Sequence, residues 1–328
     1  MRAVEQRGFG GIETLALADV ADPKPADGEV LIRVTRAGVN FTDLQCRAIG
    51  LQTMVDRGGA PGRIGPDALP IVPGGEVAGT TVDGRRVVAV CGSGGYAELA
   101  VASRALTFSV PDDVTDEQAL ALLVQGLTAW YLLRQAVRLA PGESVLVFGA
   151  SGGVGSLAVQ LARQFGVGVV IAAASSDEKR ATALQLGAST AIDSDPDGLS
   201  ERVLSANGGR PVDVVLDAVG GAVFEQSLSA LAPGGRLVAY GTAGGVPGEV
   251  STRSLIIGSK SVVGYWLMDS LRTPGAGEEP LGELVELLRA GKLNPLVGSV
   301  YPLSAAAHAQ LDVAERRTQG KVTLDTSR

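Results

Sequence analysis

Cysteine and histidine are nearly missing from this chain, which has two cysteines, Cys46 and Cys91, and one histidine, His308, in 328 residues. So few thiols exclude a disulfide framework, and a reducing, cytoplasmic setting is expected. A structural zinc site needs four Cys or His ligands grouped in sequence, and that group is absent. Basic residues are also in deficit: the formal net charge is −7. Nucleic acid as a partner is thereby disfavoured, since binding it needs a basic face to release counterions. No apolar run approaches the roughly 20 residues of a membrane span. The first residues, Met1 to Glu5, read directly as a strand, so no leader segment is expected. Aromatics make up only 4% of the chain, which leaves Ala, Val, Leu and Gly to do most of the packing.

What the chain has in quantity is apolar residues and glycine, enough for two domains. Its organising stretch is Ser144-Val145-Leu146-Val147-Phe148-Gly149-Ala150-Ser151-Gly152-Gly153-Val154-Gly155. An apolar run of strand length ends in a glycine cluster, and helical periodicity starts at once. Ala150, Gly152 and Gly155 fill the three positions of a dinucleotide fingerprint. The first position makes the tight turn, the second admits a pyrophosphate, and the third lets helix and strand pack closely. Ser151, Gly153 and Val154 complete the turn, whose helix aims its positive dipole end at phosphate.

Residues 1 to about 120 read as short strands at 29–35, 76–82, 86–90 and 95–101, suggesting a compact antiparallel, barrel-like domain. Residues 50–74 show no period and read as a long loop. From Asp116 the pattern turns helical, and strands then alternate with helices. Strands are expected at 144–149, 168–174, 190–193, 212–219, 236–241 and 261–266, with Pro233-Gly234-Gly235 as the turn into the fifth. Helices are expected at 154–165, 177–187, 198–206, 221–231, 252–258 and 279–291. Such alternation predicts a doubly wound parallel sheet of the Rossmann type.

The residue that reads the adenosine ribose stands about twenty positions past the last fingerprint glycine. Here the second strand runs into Ser175-Ser176-Asp177-Glu178-Lys179. Ser175 and Ser176 are neutral donors and Lys179 brings positive charge one turn on, so a 2′-phosphate is favoured and NADPH is expected over NADH. The competing reading is that the serines only cap the next helix.

These pieces, in this order, resemble the zinc-free quinone oxidoreductase branch of the medium-chain dehydrogenase/reductase superfamily. The resemblance is carried by Ala37-Gly38-Val39-Asn40-Phe41-Thr42-Asp43, Val72-Pro73-Gly74-Gly75-Glu76-Val77-Ala78-Gly79, Gly94-Gly95-Tyr96-Ala97-Glu98 and Gly126-Leu127-Thr128-Ala129. The fingerprint, Asp213-Val214-Val215-Leu216-Asp217 and Thr318-Gln319-Gly320-Lys321-Val322 complete it. It implies a GroES-like catalytic domain at 1–120 and 267–328, an NADP-binding Rossmann domain at 121–266, and a homodimer acting on a small-molecule substrate.

By the same resemblance, Asn40 and Thr128 lie against the nicotinamide half and Tyr240-Gly241-Thr242 passes beneath the ring. Lys179 and Arg316 grip the 2′-phosphate, and Ser194 stands where the family has a tyrosine. Gln45 replaces a pocket tyrosine. Zinc-dependent relatives carry Cys at Asn40, His-Glu at Gly75-Glu76 and Cys near Val124, so no zinc is expected here.

Without metal, hydride transfer from nicotinamide to an electrophilic carbon is the expected chemistry. A quinone or a conjugated carbonyl fits as acceptor. Asn40 is expected to position the reactants and Gln45 to donate a hydrogen bond, with no general acid apparent. A tailoring enoyl or ketone reductase of a polyketide or similar pathway is an alternative, and a non-catalytic NADPH-binding redox sensor is another. Asp43 is expected as a structural acceptor with Arg47 as partner or solvated, and Tyr96 as barrel-rim packing. His308 is expected on a helix surface, and Cys46 as a small buried hydrophobe.

Overall fold

The computed structural model of the chain describes residues 1–50 and 69–327. The loop expected at 50–74 falls mostly on residues 51–68, which lie outside the described residues. The chain forms two units, one from Met1–Val124, Met268–Leu281 and Leu296–Arg328, the other from Gln125–Leu267 and Gly282–Pro295.

The first unit begins with β1 (Arg2–Gln6) and β2 (Leu15–Asp19), an antiparallel pair. Next come β3 (Glu29–Val39), β4 (Glu76–Thr81), β5 (Arg86–Val90), β6 (Leu99–Ser103) and β7 (Thr107–Ser109). Alternation along β3 turns Val30, Ile32 and Val34 into a core shared with Val77, Val87, Ala89 and Ala100, while Arg33 faces out. The strand expected at 95–101 starts later. The backbone of 96–98 is engaged elsewhere: Tyr96 N–H donates to Pro73 O, Val4 N–H to Tyr96 O, and Glu98 N–H to Arg2 O. Helix α1 (Phe41–Ile49) is capped by Asn40 and stops at Gly50, whose φ of +76° suits a residue without a Cβ. Helix α2 (Asp116–Leu120) starts with a capping box of Thr115 and Gln118, and ion pairs Arg36–Glu117 and Arg86–Asp116, both 2.6 Å, tie it to the strands.

The second unit opens with α3 (Leu127–Tyr131), set between π-helical turns at Ala121–Gly126 and Leu132–Ala136. Strands and helices then alternate as the sequence predicts: β8 (Ser144–Phe148), α4 (Gly153–Gln164), β9 (Val169–Ala174), α5 (Asp177–Gln185), β10 (Thr190–Asp193) and α6 (Leu199–Ala206). They continue as β11 (Val212–Asp217), α7 (Gly221–Ala230), β12 (Leu231–Ala239), α8 (Thr252–Ile256) and β13 (Ser261–Gly264). The sheet order is β10-β9-β8-β11-β12-β13 and every pairing is parallel. All five residues of β8 are buried, as a central strand covered on both faces requires. Pro233-Gly234-Gly235 lies inside β12 rather than before it. The register against β11 slips there, with Val212 opposite Leu231 and Val214 opposite Arg236, so the Gly-Pro signal marks a bulge.

Helix α9 (Glu278–Arg289) follows. Residues 267–328 were expected to return to the first domain, but Gly282–Pro295 packs with the second unit. Trp130 Nε1 donates to Glu283 at 2.7 Å, and Gln160 exchanges hydrogen bonds with the Asn294 backbone at 2.7 and 3.0 Å. The chain then re-enters the first unit as β14 (Val297–Pro302), α10 (Ala306–Ala314) and β15 (Lys321–Asp325). Strand β15 lies antiparallel on β3 and parallel to β14, giving the order β14-β15-β3-β4-β5-β7 with β6 also on β3. This sheet is mostly antiparallel and its core is closed by Leu324 and Val322.

Candidate active site

In the second unit the fingerprint turn joins β8 to α4. The left-handed residue of the turn is Gly149, with φ +59°, not Ala150 as the spacing suggested. Ala150 is fully buried and its N–H donates to Ala173 O, so this position serves packing against β9. A side chain at Gly155 would overlap the carbonyl of Gly149, which is the helix-on-strand closeness expected of the third position. Ser151 is also buried. Gly152 caps α4, so the N–H groups of Gly153, Val154 and Gly155 begin the helix and have no carbonyl one turn earlier to bond. Gln125, which was not singled out in the sequence, lies so close that a Cβ on Gly153 would overlap its carboxamide. Thr128, buried on α3, belongs to the same unit.

At the end of β9, Ser175 is exposed and Ser176 is half-buried. The Ser176 hydroxyl accepts the Lys179 N–H at 3.3 Å, so the capping role is real. Lys179 is half-buried one turn into α5, and Ser194 N–H reaches Ala174 O at 3.4 Å. Ser175, Ser176, Lys179 and Ser194 therefore gather beyond two adjacent strands. The residue that organises them is Arg180. Its guanidinium donates to Ala174 O at 2.9 Å, to Asp193 at 3.1 Å and to Asp177 at 2.6 Å. It ties β9, β10 and α5 together and offsets part of the negative charge of Asp177 and Asp193. The basic pair Lys179-Arg180 was the available signal.

Tyr240, Gly241 and Thr242 follow β12. Tyr240 N–H donates to Asp217 O at 2.9 Å. Asp217 is buried at the end of β11 and accepts the N–H groups of Val219 and Gly220 at 2.7 and 3.2 Å. Burial, with Asp217 adding, holds the Tyr240 phenol above its ordinary range, so it stays protonated at neutral pH. Asp213 accepts both the N–H and the hydroxyl of Ser144, at 2.8 and 2.7 Å. The Asp213–Asp217 motif thus pins both ends of β11. Tyr265 stacks on Tyr131 with centroids 6.4 Å apart.

In the first unit three motifs that served above as family marks meet in one buried cluster. Asn40 Nδ2 donates to Glu76 Oε1 at 2.6 Å. Lys321 Nζ donates to Asn40 Oδ1 at 3.1 Å and forms an ion pair with Glu76. Glu76 and Lys321 are both fully buried. Glu76 Oε2 faces the Val124 N–H at 3.4 Å. Gly38 makes room: a Cβ there would stand 2.5 Å from Glu76 Oε1 and 2.7 Å from Lys321 Nζ. Glu76 and Lys321 were missed as site residues because each comes from a distant segment with no local pattern of its own.

Asp43 Oδ2 accepts the Asn40 N–H at 2.9 Å and the Tyr96 hydroxyl at 3.0 Å. Burial pushes the Asp43 carboxyl up to about 6, against the opposing pull of these hydrogen bonds and of Lys321. Asp43 is thus the structural acceptor expected, but Tyr96 is fully buried rather than at a rim. Arg47 is not the partner of Asp43. It is buried and donates to Gln310 Oε1 at 2.6 Å and to Gly10 O. Gln45, on α1, and Cys46 are half-buried. Burial and then Asp43 push the Cys46 thiol up to about 12, so it is no nucleophile. His308 is exposed on α10. Arg316 is exposed, with φ +56°, just past α10. Among the described residues no three His, Cys, Asp or Glu side chains group as a metal site would require.

Two family profiles match the chain: the alcohol dehydrogenase GroES-like domain over residues 26–112 and the zinc-binding dehydrogenase over 153–281. Over 326 residues the chain is 34% identical to the quinone oxidoreductase of Pseudomonas aeruginosa, covering 98% of this chain and 99% of that one. A mycobacterial protein solved in complex with NADPH superposes with a TM-score of 0.89 at 35% identity, covering 99% of both chains. The quinone oxidoreductase of Escherichia coli, also solved with NADPH, gives a TM-score of 0.89 at 29% identity over 99% of this chain and 100% of that one. With this likeness over almost its full length, and with the family's motifs folded as described, the chain belongs to the quinone oxidoreductase branch of the medium-chain dehydrogenase/reductase superfamily.

Proposed function

We propose that the chain is an NADPH-dependent reductase that delivers hydride to a quinone or to a double bond conjugated with a carbonyl, without a metal ion. One observation carries the reading: a phosphate-binding turn at Gly149–Gly155 is followed, at the end of the next strand, by hydroxyls and a lysine instead of a ribose-reading carboxylate. This donor set suits a 2′-phosphate, and Arg180 pairs with the nearby Asp177 and Asp193, offsetting part of their negative charge. The complexes of the mycobacterial and E. coli proteins with NADPH support the same cofactor. Ala150 to Val154 would hold the pyrophosphate, and Ser175, Ser176, Lys179, Ser194 and Arg316 the phosphorylated ribose. Asn40, Thr128 and Tyr240–Thr242 would hold the nicotinamide half, with Gln45 donating a hydrogen bond to the acceptor. When bound, NADPH supplies the hydride; the protein supplies orientation and the exclusion of water. Zinc finds no ligand set here, since Asn40, Gly75 and the residues near Val124 replace all three ligand positions, and the Glu76 carboxylate already faces Lys321.

The test is steady-state oxidation of NADPH with a panel of quinones, enals and enoyl thioesters. Turnover with at least one class, and a higher kcat/KM for NADPH than for NADH, is the expected result. Silence across the panel overturns the reading, and equal efficiency with NADH overturns its phosphate-binding part. The protein is proposed to work in the cytoplasm, in keeping with its two cysteines, and as a homodimer: β13 is one edge of the described sheet, and Ile256 and Ile257 just before it are exposed. Light scattering should return the mass of two chains.

A further inference from the structure

We propose that Glu76 and Lys321 are positioning residues that hold the Asn40 carboxamide in a single orientation toward the nicotinamide half of the cofactor. The proposal rests on the reading above. A carboxamide has two orientations that differ by exchange of its oxygen and nitrogen, and the electrostatic surroundings decide between them. Here Nδ2 faces the Glu76 carboxylate at 2.6 Å and Oδ1 faces the Lys321 ammonium at 3.1 Å. Exchange would set oxygen against carboxylate and N–H against ammonium, so both contacts would turn repulsive. The pair therefore selects one state.

Stability alone does not call for charges in this place. Apolar residues of similar volume often serve as well as a buried ion pair or better. The pair is nonetheless fully buried, and Gly38 leaves the space it needs. Of the three side chains, Asn40 is the one that is only half-buried, so it carries the arrangement from the interior outward. Its backbone is fixed by Asp43: Asn40 N–H donates to Asp43 at 2.9 Å and Asn40 O accepts the Asp43 N–H at 3.0 Å. In the capping box that same Asp43 N–H also faces the Asn40 side-chain oxygen, which favours the same orientation. Capping sets where the side chain starts and gives its oxygen one donor, and the ion pair adds opposite charges on the two ends of the amide.

The test compares wild type, Asn40→Ala, Glu76→Gln/Lys321→Met and the triple variant. The double variant removes both charges together, so no lone buried charge threatens folding. Three readouts are kcat with 1,4-benzoquinone, the Kd for NADPH, and the Kd for 2′,5′-ADP, which lacks the nicotinamide half. Expected is a fall in kcat of about tenfold to a hundredfold in the double variant, the range a small misplacement of reactants produces. Binding of 2′,5′-ADP should stay unchanged, and the triple variant should be no worse than Asn40→Ala, because all act through one side chain. Independent, multiplying losses overturn the proposal, as does equal weakening of 2′,5′-ADP or wild-type kinetics in the double variant. The side-chain amide signal of Asn40 in nitrogen-15 NMR, assigned by its loss in Asn40→Ala, gives a readout free of cofactor. It should be protected from exchange in wild type and lose protection in the double variant; an unchanged signal overturns the proposal. A wild-type chain that ignores NADPH overturns the functional reading instead, and the amide signal still decides the positioning.

Discussion

The two units build their chemistry in opposite ways. In the parallel-sheet unit the phosphate-binding turn is local: twelve consecutive residues supply the strand, the turn and the start of the helix. In the mostly antiparallel unit the polar cluster is assembled from Asn40 at the end of β3, Glu76 at the start of β4 and Lys321 at the start of β15. The local device relies on glycine and backbone N–H groups, which tolerate much variation nearby. The assembled device relies on two opposite charges whose removal one at a time leaves the other stranded. Sensitivity to mutation should differ accordingly.

The largest effect is expected where the assembled device is half-removed. Lys321→Met leaves the Glu76 carboxylate buried without its counter-charge and should cost about 3–5 kcal/mol in urea unfolding, whereas Glu76→Gln/Lys321→Met should recover most of that loss. A harmless single variant would break the comparison. Next is the pH response of Asp43 in the same unit. Its carboxyl stands at about 6 in the folded chain against 3.8 for the free group, so the folded state holds the proton more tightly. That favours folding below pH 4 and is lost as pH rises through 6. Relative to Asp43→Asn, wild type should therefore lose up to about 3 kcal/mol between pH 4 and pH 6, measured by unfolding at each pH.

In the local device the effects should be smaller. Gly155→Ala forces a Cβ against the Gly149 carbonyl and should cost about 1–3 kcal/mol, as overpacking does, with NADPH binding weakened in the same titration. Smallest is Ser176→Ala, which removes the cap of α5 for about 1 kcal/mol. A loss of NADPH selectivity in that variant beyond the stability change would give the hydroxyl a role at the phosphate as well.

What the sequence made legible follows the same division. The apolar runs of β8, β9 and β11 and the helices between them show their periods within a few residues, so the alternating unit could be laid out in order. Tyr96 and Arg47 show the limit. Nothing near Tyr96 says that its hydroxyl meets Asp43 inside the core, and nothing near Arg47 points to Gln310, 263 residues away. The late start of β6 has the same origin, because residues 96–98 are claimed by β1 and by Pro73. Glu76 and Lys321 were visible only as letters in family motifs, since a buried ion pair between remote segments has no periodic trace. Arg180 was legible in principle, but its bridging of Asp177 and Asp193 depends on β9 and β10 lying side by side.

The ammonium beside Glu76 has a consequence for protein engineering. Installing cysteine and histidine at positions 40 and 75 would not by itself create a divalent-ion centre, because the third position, near Val124, still lacks a ligand and the adjacent Glu76 carboxylate is held by the Lys321 side chain. Deleting Lys321 as well would let the incoming ion inherit both its electrostatic duty and the hollow kept open by Gly38.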